Sequence, residues 1–529
     1  MLERATQSVE RREGSFAAWT GRASLMLALT VFGGALAWAA KGLRGSDQYW
    51  YAADLINAGP IGDASNHLYP SFSLPAVAAD AHDLPPRIHG VPVTWAAEAL
   101  FNLGASDYHA WVIVNTLLAL GTAALCYWAA TMLGLGRVAA WAPALFLSFP
   151  LTTWLTLNAL AEMSVAFFAS LLLVGVVAAE RTGARWGLLM GAVASGLLFW
   201  TRENFVLIII CFLIYCAWLH RRQGWPFPPV ALAGTVAAAF VITRSFVFPK
   251  YPTGGLEAAL MVSAPGTQGN MDLYYGPVDF QLGPFLDKLV SGALSALVPS
   301  GAVEMVTELP LVLGVAGATI MLWKSVDTRV LLVWLVVMSG AYVATCMLYQ
   351  AQNRYIYVLA PITSVAVALV LGSAARVRSR RWATWVPAAC ALVVLGFVAG
   401  SALMAHQYRA GSVEETRSIA ALQDSLATTQ GALLSTGNSA ATISVAYAAA
   451  PRAVLVADPA LNTAEEVALL LAHWSPRVVV GPSSDGPFLT TAVQQAFPGA
   501  SLLSVGTATT PGGELTLWEI RTDQETVAD

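Results

Sequence analysis

Asp47 lies in Ser46-Asp47-Gln48-Tyr49-Trp50-Tyr51, just past the first long apolar run of the chain. A carboxylate there has two uses. It can cap the short helix expected to run to Asn57, or it can serve as a general base toward an attacking hydroxyl. Asp54 follows seven residues later, two helical turns along the same face, and is the competing carboxylate. Glu162 opens another apolar run in Asn158-Ala159-Leu160-Ala161-Glu162-Met163, where the helix dipole alone favours an acid. Thr201-Arg202-Glu203 separates two apolar runs, so that Arg202 either pairs with Glu203 or holds a phosphate. Arg244 and nearby Lys250 either snorkel to an interface or face an anion. Arg354 follows Gln350-Ala351-Gln352-Asn353 and precedes Tyr355. An arginine at a helix start opposes the dipole, and that points to an anionic ligand.

These groups matter because the rest of the chain is so apolar. Of 529 residues, 57% are hydrophobic and 11% charged, with a mean hydropathy of +0.61. Soluble proteins carry about 25% charge. The composition therefore indicates an integral membrane protein. A net charge of −4 offers nothing to nucleic acid. The five cysteines all lie in apolar runs, so no disulfide framework is expected. No CxxC, HExxH or other metal-ligand spacing occurs, and His67, His82 and His89 read as polar loop residues. No cofactor is implied, and a divalent-metal requirement stays open.

A membrane helix needs about 20 apolar residues. Runs that meet or approach this are 23–40, 107–134, 137–156, 160–179, 185–200, 204–219, 228–247, 308–323, 329–349, 355–373 and 384–404, about eleven spans. The run 137–156 holds Pro143 and Pro150 and is expected to be broken or re-entrant. With the N-terminus inside, alternate turns are basic: Arg4, Arg11, Arg12 and Arg22, then Arg137, Arg181 with Arg185, Arg221 with Arg222, Lys324 with Arg329, and Arg376 to Arg381. This places Asp47, Glu162, Arg202, Glu203, Arg244 and Arg354 together on the outer face. Ala37-Trp38-Ala39 mimics a signal cleavage site, but the polar stretch before the run favours a retained anchor.

The expected organisation is a cytoplasmic tail (1–22), a transmembrane region (23–404) with long outer loops 41–106 and 248–307, and a soluble outer α/β domain (405–529). In the second loop, Leu286, Leu289, Val290, Ala293, Leu294 and Leu297 mark a helix lying in the membrane surface. In the tail, 431–436, 453–457, 477–481, 500–505 and 514–520 are expected strands. Helices are expected over 439–450 and 463–474, the second capped by Asn462 or Thr463. No GxGxxG or P-loop occurs, so nothing supports nucleotide binding.

The order of these motifs resembles the GT-C glycosyltransferases. The shared features are an aspartate after the first helix, an Ala-Glu pair opening an outer helix, a Thr-Arg-Glu step, and Arg354-Tyr355 followed by Pro361. The chain is most similar to the protein O-mannosyltransferase and aminoarabinose transferase branch, over about residues 20–375. The resemblance implies a sugar donor on polyprenyl phosphate, an envelope acceptor (glycan, lipid or protein) on the outer face of a plasma membrane, and inversion at the anomeric carbon. It makes Asp47 the base and Glu162 a supporting carboxylate, with Arg202, Arg244 and Arg354 toward the lipid phosphate. Many members carry two adjacent acids where this chain has Asp47-Gln48. A secondary transporter and a ligase or polymerase using a lipid diphosphate glycan are the alternatives. The transporter would place its charges near the midplane of broken, repeated helices, which this sequence does not do.

Overall fold

The computed structural model describes residues 2–44, 48, 49, 52, 68–70, 91–158, 161–202, 205–243, 282–297, 309–323, 329–348, 353–374, 380–427, 429, 431–437, 439–450, 452, 454–457, 459, 462–510 and 512–522. Apolar side chains arranged all round a helix must be buried by other helices or by lipid, and here they build a helical bundle. Its elements are α1 (Leu2–Ala39), α2 (Val91–Asn102), α3 (Asp107–Met132), α4 (Trp141–Ser148) and α5 (Pro150–Leu157). They continue with α6 (Glu162–Thr182), α7 (Arg185–Thr201), α8 (Val206–Gln223), α9 (Phe227–Ile242) and α10 (Leu282–Leu297). The last are α11 (Leu309–Trp323), α12 (Arg329–Leu348), a 3₁₀ turn (Asn353–Leu359), α13 (Ala360–Ala374) and α14 (Arg380–Ala427).

Within the described residues each of the eleven apolar runs is helical, and the protein is a multi-pass membrane protein. Among the described residues six helices are long and apolar enough to cross a bilayer by themselves, seven if a bent pair counts as one span. That pair is Gly136–Ser148 with Pro150–Leu157, bent by 54°. Pro150 cannot donate to the preceding turn, and Phe149 adopts an extended conformation (φ −63°, ψ 125°) that starts a new helix. The expected break is therefore present. The surface-helix stripe of the second loop falls on α10, with Leu286, Val290 and Leu294 exposed along one side.

The innermost helix is α6, whose apolar window is 89% buried. It packs against α7 through glycines. A Cβ on Gly187 would stand 2.5 Å from the Gly175 carbonyl oxygen and 2.9 Å from the Ala179 nitrogen. Two backbones can approach this closely only where neither carries a side chain, which is the usual logic of tight helix pairs in membranes.

The helix α14 does not stop at the boundary expected near 404. It runs for 48 residues, roughly 72 Å at 1.5 Å per residue, against a hydrocarbon core of about 30 Å. It carries the chain from the bundle into an α/β unit as one rigid rod. That unit holds β2 (Leu433–Thr436), α15 (Ser439–Ala449), β3 (Val454–Ala457), α16 (Ala464–Trp474), β4 (Val478–Gly481), α17 (Gly486–Ala496), β5 (Ser501–Thr510) and β6 (Gly513–Arg521). The five expected strands are present, as are both expected helices. Thr463 forms a reciprocal capping box with Glu466. Sequence analysis missed α17, because Gly486-Pro487 reads as a turn although proline suits the first turn of a helix.

The sheet has six strands in the order β1-β3-β2-β4-β6-β5. Its edge strand β1 (Leu68–Pro70) belongs to the first long loop and pairs parallel with β3, placing Leu68 opposite Val454. The sheet therefore ties together segments almost 400 residues apart. A core of Leu434, Leu455, Val479, Leu489, Val493 and Trp518 holds it to its helices.

Gly187→Ala is expected to lower the thermal midpoint in detergent, by an overpacking cost of about 1–3 kcal/mol. Gly33→Ala, where an added Cβ meets nothing within 4 Å, is the control. Equal midpoints for the two variants would show that the α6–α7 contact is not tight.

Candidate functional site

Glu162 is the first residue of α6, and no side-chain cap precedes it on Ala161. It lies in the first turn of the helix, where a negative charge is favoured. The residue is only 1% exposed. A carboxylate this deep requires compensation by an opposite charge, and two guanidiniums supply it.

The first belongs to Arg202, which caps α7. The helix ends at Thr201 and Arg202 turns extended (φ −150°, ψ 110°). Its buried side chain donates from Nη2 to Glu162 Oε1 across 40 residues of sequence. The second is Arg354 in the 3₁₀ turn before α13, whose Nε stands 3.2 Å from the same oxygen. Tyr355, also buried, lies beside both: the guanidinium carbons are 5.6 and 5.9 Å from its ring centroid. The ring face adds a cation–π attraction to each. Glu162 Oε2 has no hydrogen-bond partner among the described residues. One carboxylate oxygen of Glu162 thus faces two guanidiniums.

A second set of contacts leads from this cluster to the first loop. Asn158, the residue that ends α5 four positions before Glu162, accepts a hydrogen bond at Oδ1 from Gln48 Nε2. Asn115 of α3 donates to the Asn158 carbonyl at 2.8 Å and fixes that backbone. Gln48 Oε1 in turn lies 2.9 Å from the Tyr408 hydroxyl on α14 and accepts the Arg44 amide N–H at 3.1 Å. Gln48 therefore uses its amide both as donor and as acceptor. An ionised acid at this position could only accept, so it could not make both contacts.

Tyrosines continue the chain of contacts into the sheet unit. Tyr49 donates to Glu415 Oε2 at 3.2 Å, and its ring centroid is 5.1 Å from that of Tyr447. Tyr447 donates to Asp107 Oδ2 at 2.6 Å. Burial, reinforced by Glu415 for Tyr49 and by Asp107 for Tyr447, pushes both phenols above their ordinary range and keeps them as neutral donors.

Of the residues selected from sequence, Glu162, Arg202, Arg354 and Tyr355 come together. Asp47, Asp54, Glu203 and Arg244 lie outside the described residues, as do His67, His82 and His89. All five cysteines are free thiols. Among the described residues no group of three His, Cys, Asp or Glu side chains converges. Asn158, Tyr408, Asp107 and Glu98 join the selected residues only in the fold. Glu98 is a buried acid on α2, which meets α7 where Trp95 packs edge-on to Trp200 at 6.4 Å. Its signal was available: it is the one charge in Val91–Asn102.

No protein-family model matches the chain, and no curated protein is similar to it in sequence. Solved structures are similar in fold. ArnT from Cupriavidus metallidurans bound to undecaprenyl phosphate aligns with a TM-score of 0.56 at 13% identity, covering 94% of this chain and 97% of that one. The Archaeoglobus fulgidus oligosaccharyltransferase, in complex with zinc and sulfate, gives 0.56 at 12% identity over 92% of this chain and 72% of its own. The archaeal oligosaccharyltransferase AglB from the same organism, holding an inhibitory peptide and a dolichol-phosphate, gives 0.52 at 12% identity over 96% and 74%. These are GT-C glycosyltransferases, and this chain has their fold.

Glu162→Gln is expected to destabilise the protein by about 3–5 kcal/mol, because it takes the carboxylate from two guanidiniums at once; Arg202→Met is expected to cost less, because Arg354 still faces Glu162. The double variant should cost less than the sum. Denaturation in detergent measures the coupling, and additivity to within about 0.5 kcal/mol would show that the two residues act independently.

Proposed function

We propose that this GT-C-fold protein is a glycosyltransferase that moves a sugar from a polyprenyl-phosphate donor to an acceptor in the cell envelope. The observation that carries this reading is the buried Glu162 carboxylate shared by Arg202 and Arg354, which gathers two guanidiniums at one point of the bundle, with Asn158, four residues before Glu162, bonded to Gln48 of the first loop. ArnT and AglB, similar in fold, hold undecaprenyl phosphate and dolichol-phosphate respectively.

In this reading the acceptor hydroxyl oxygen attacks the anomeric carbon while the bond from that carbon to the phosphate oxygen breaks. The electron pair leaves on the phosphate, which departs as polyprenyl phosphate. Asp47, the sequence neighbour of the pinned Gln48, takes the hydroxyl proton, a contribution of about 10²–10⁴-fold. Arg202 and Arg354 act where charge develops on the departing phosphate, with Arg244 as a further candidate. Glu162 keeps the guanidiniums in place and limits their repulsion. The leaving group is already a stable anion, so no strong acid is needed. Direct displacement inverts the anomeric centre. Eleven spans with the N-terminus inside put this end of the bundle, and the sheet unit, outside a bacterial plasma membrane.

The test is to purify the protein and Asp47→Asn in mild detergent and identify the lipids that travel with them by mass spectrometry. A sugar on polyprenyl monophosphate, several-fold enriched in the variant, is expected. A lipid diphosphate glycan would move the protein to the ligase class. Neither lipid, with phospholipid still present, would favour a transporter. Arg354→Ala is expected to reduce retention of the lipid phosphate at least tenfold, equivalent to about 1.4 kcal/mol. Unchanged retention would remove Arg354 from the anion site.

A further inference from the structure

A groove of about 420 Å³ opens between α1 and α14, away from the Glu162 cluster. Its floor is Gly34, Ala35, Ala402 and Ala405, and its upper end is formed by Trp38 and His406. Their rings stack at a centroid distance of 5.7 Å with an interplanar angle of 10°. Above them Arg409 lies over the Trp38 ring, 4.7 Å from its centroid, and donates from Nη1 to the Trp38 carbonyl at 3.0 Å. The groove thus changes from wholly apolar to aromatic to cationic within about two helical turns. The same change is written in α14, where Leu403-Met404-Ala405 gives way to His406-Gln407-Tyr408-Arg409. Tryptophan at such a transition marks a membrane–water interface.

From this gradient we infer that the groove binds one anionic phospholipid of the surrounding bilayer, with an acyl chain along Gly34 and Ala405 and its phosphate at Arg409. A guanidinium has five N–H donors in a fixed fork, and the carbonyl of Trp38 occupies one. The neighbouring acids of α14 point elsewhere. Glu414 and Glu415 are turned roughly 140° and 240° from Arg409 around the helix, and Glu415 is engaged by Tyr49. Groove and cation are therefore complementary to a chain with an anionic head. Arg44 is directed to another face of α14, where it donates to the Gln407 carbonyl at 2.8 Å.

The site is independent of the proposed sugar transfer, and its test does not use activity. The full-length protein in mild detergent is titrated with phosphatidylglycerol or phosphatidylcholine of identical acyl chains, and bound lipid is counted by native mass spectrometry. The wild type is expected to retain phosphatidylglycerol at least fivefold better. Arg409→Gln should abolish the preference while leaving a lipid bound. Gly34→Leu should reduce binding of both lipids by filling the groove. An added Cβ at Gly34 meets nothing within 4 Å, so this variant is expected to fold and keeps the test valid if Arg409→Gln does not. Equal retention of the two lipids by the wild type, or unchanged adducts in Gly34→Leu, would overturn the inference. So would displacement of phosphatidylglycerol by polyprenyl phosphate at equimolar concentration, which would assign the groove to the donor.

Discussion

The architecture depends on a carboxylate that cannot stand alone. Glu162 is buried at the first turn of the innermost helix, and an isolated charge in that position would cost far more than the helix dipole returns. Arg202 and Arg354 meet this need from the end of α7 and from the turn before α13. Three segments spread over nearly 200 residues are therefore held at one end of the bundle by a single oxygen atom. Two guanidiniums from distant segments share that one oxygen.

The long helix α14 supplies the other constraint. It leaves the bundle without a break and reaches the sheet unit as a continuous rod, so the position of the sheet is coupled to the packing of the spans. Tyr408 and Glu415 project from this rod toward Gln48 and Tyr49 at the start of the first loop. Farther along the same loop, β1 joins the edge of the sheet beside β3. The first loop is thus fastened at its origin to the bundle and helix rod, and again to the sheet. The sheet unit is thereby joined to the first loop as well as to the bundle.

Much of this was legible in the residues themselves. The eleven apolar runs mark the helices, because burying 20 or so apolar residues in lipid leaves few other conformations open to the backbone. Pro150 marked the break, since a missing N–H is a local property. The strands of the sheet unit and the Thr463 cap were equally local, read from short apolar runs and a polar residue in front of two acids. Glu162, Arg202 and Arg354 stood out because a charge beside an apolar run is costly and so needs a reason.

Partnership was not legible in the same way. Nothing in the spacing along the chain pairs Arg202 with Glu162, 40 residues away, and packing of α6 on α7 brings the two within reach. Gln48 was seen only as a departure from a family pattern. Its use as a two-way bridge between Asn158 and Tyr408 needs the fold. That Leu68–Pro70 would join a sheet formed by residues past 430 had no local signature at all, since three residues carry too little pattern. The sequence by itself determined which segments enter the membrane and where charge is concentrated, because both follow from transfer free energies of single residues. Which charges meet, and that one oxygen serves two arginines, only the tertiary structure decided, because contact between distant segments depends on helix packing and not on spacing along the chain.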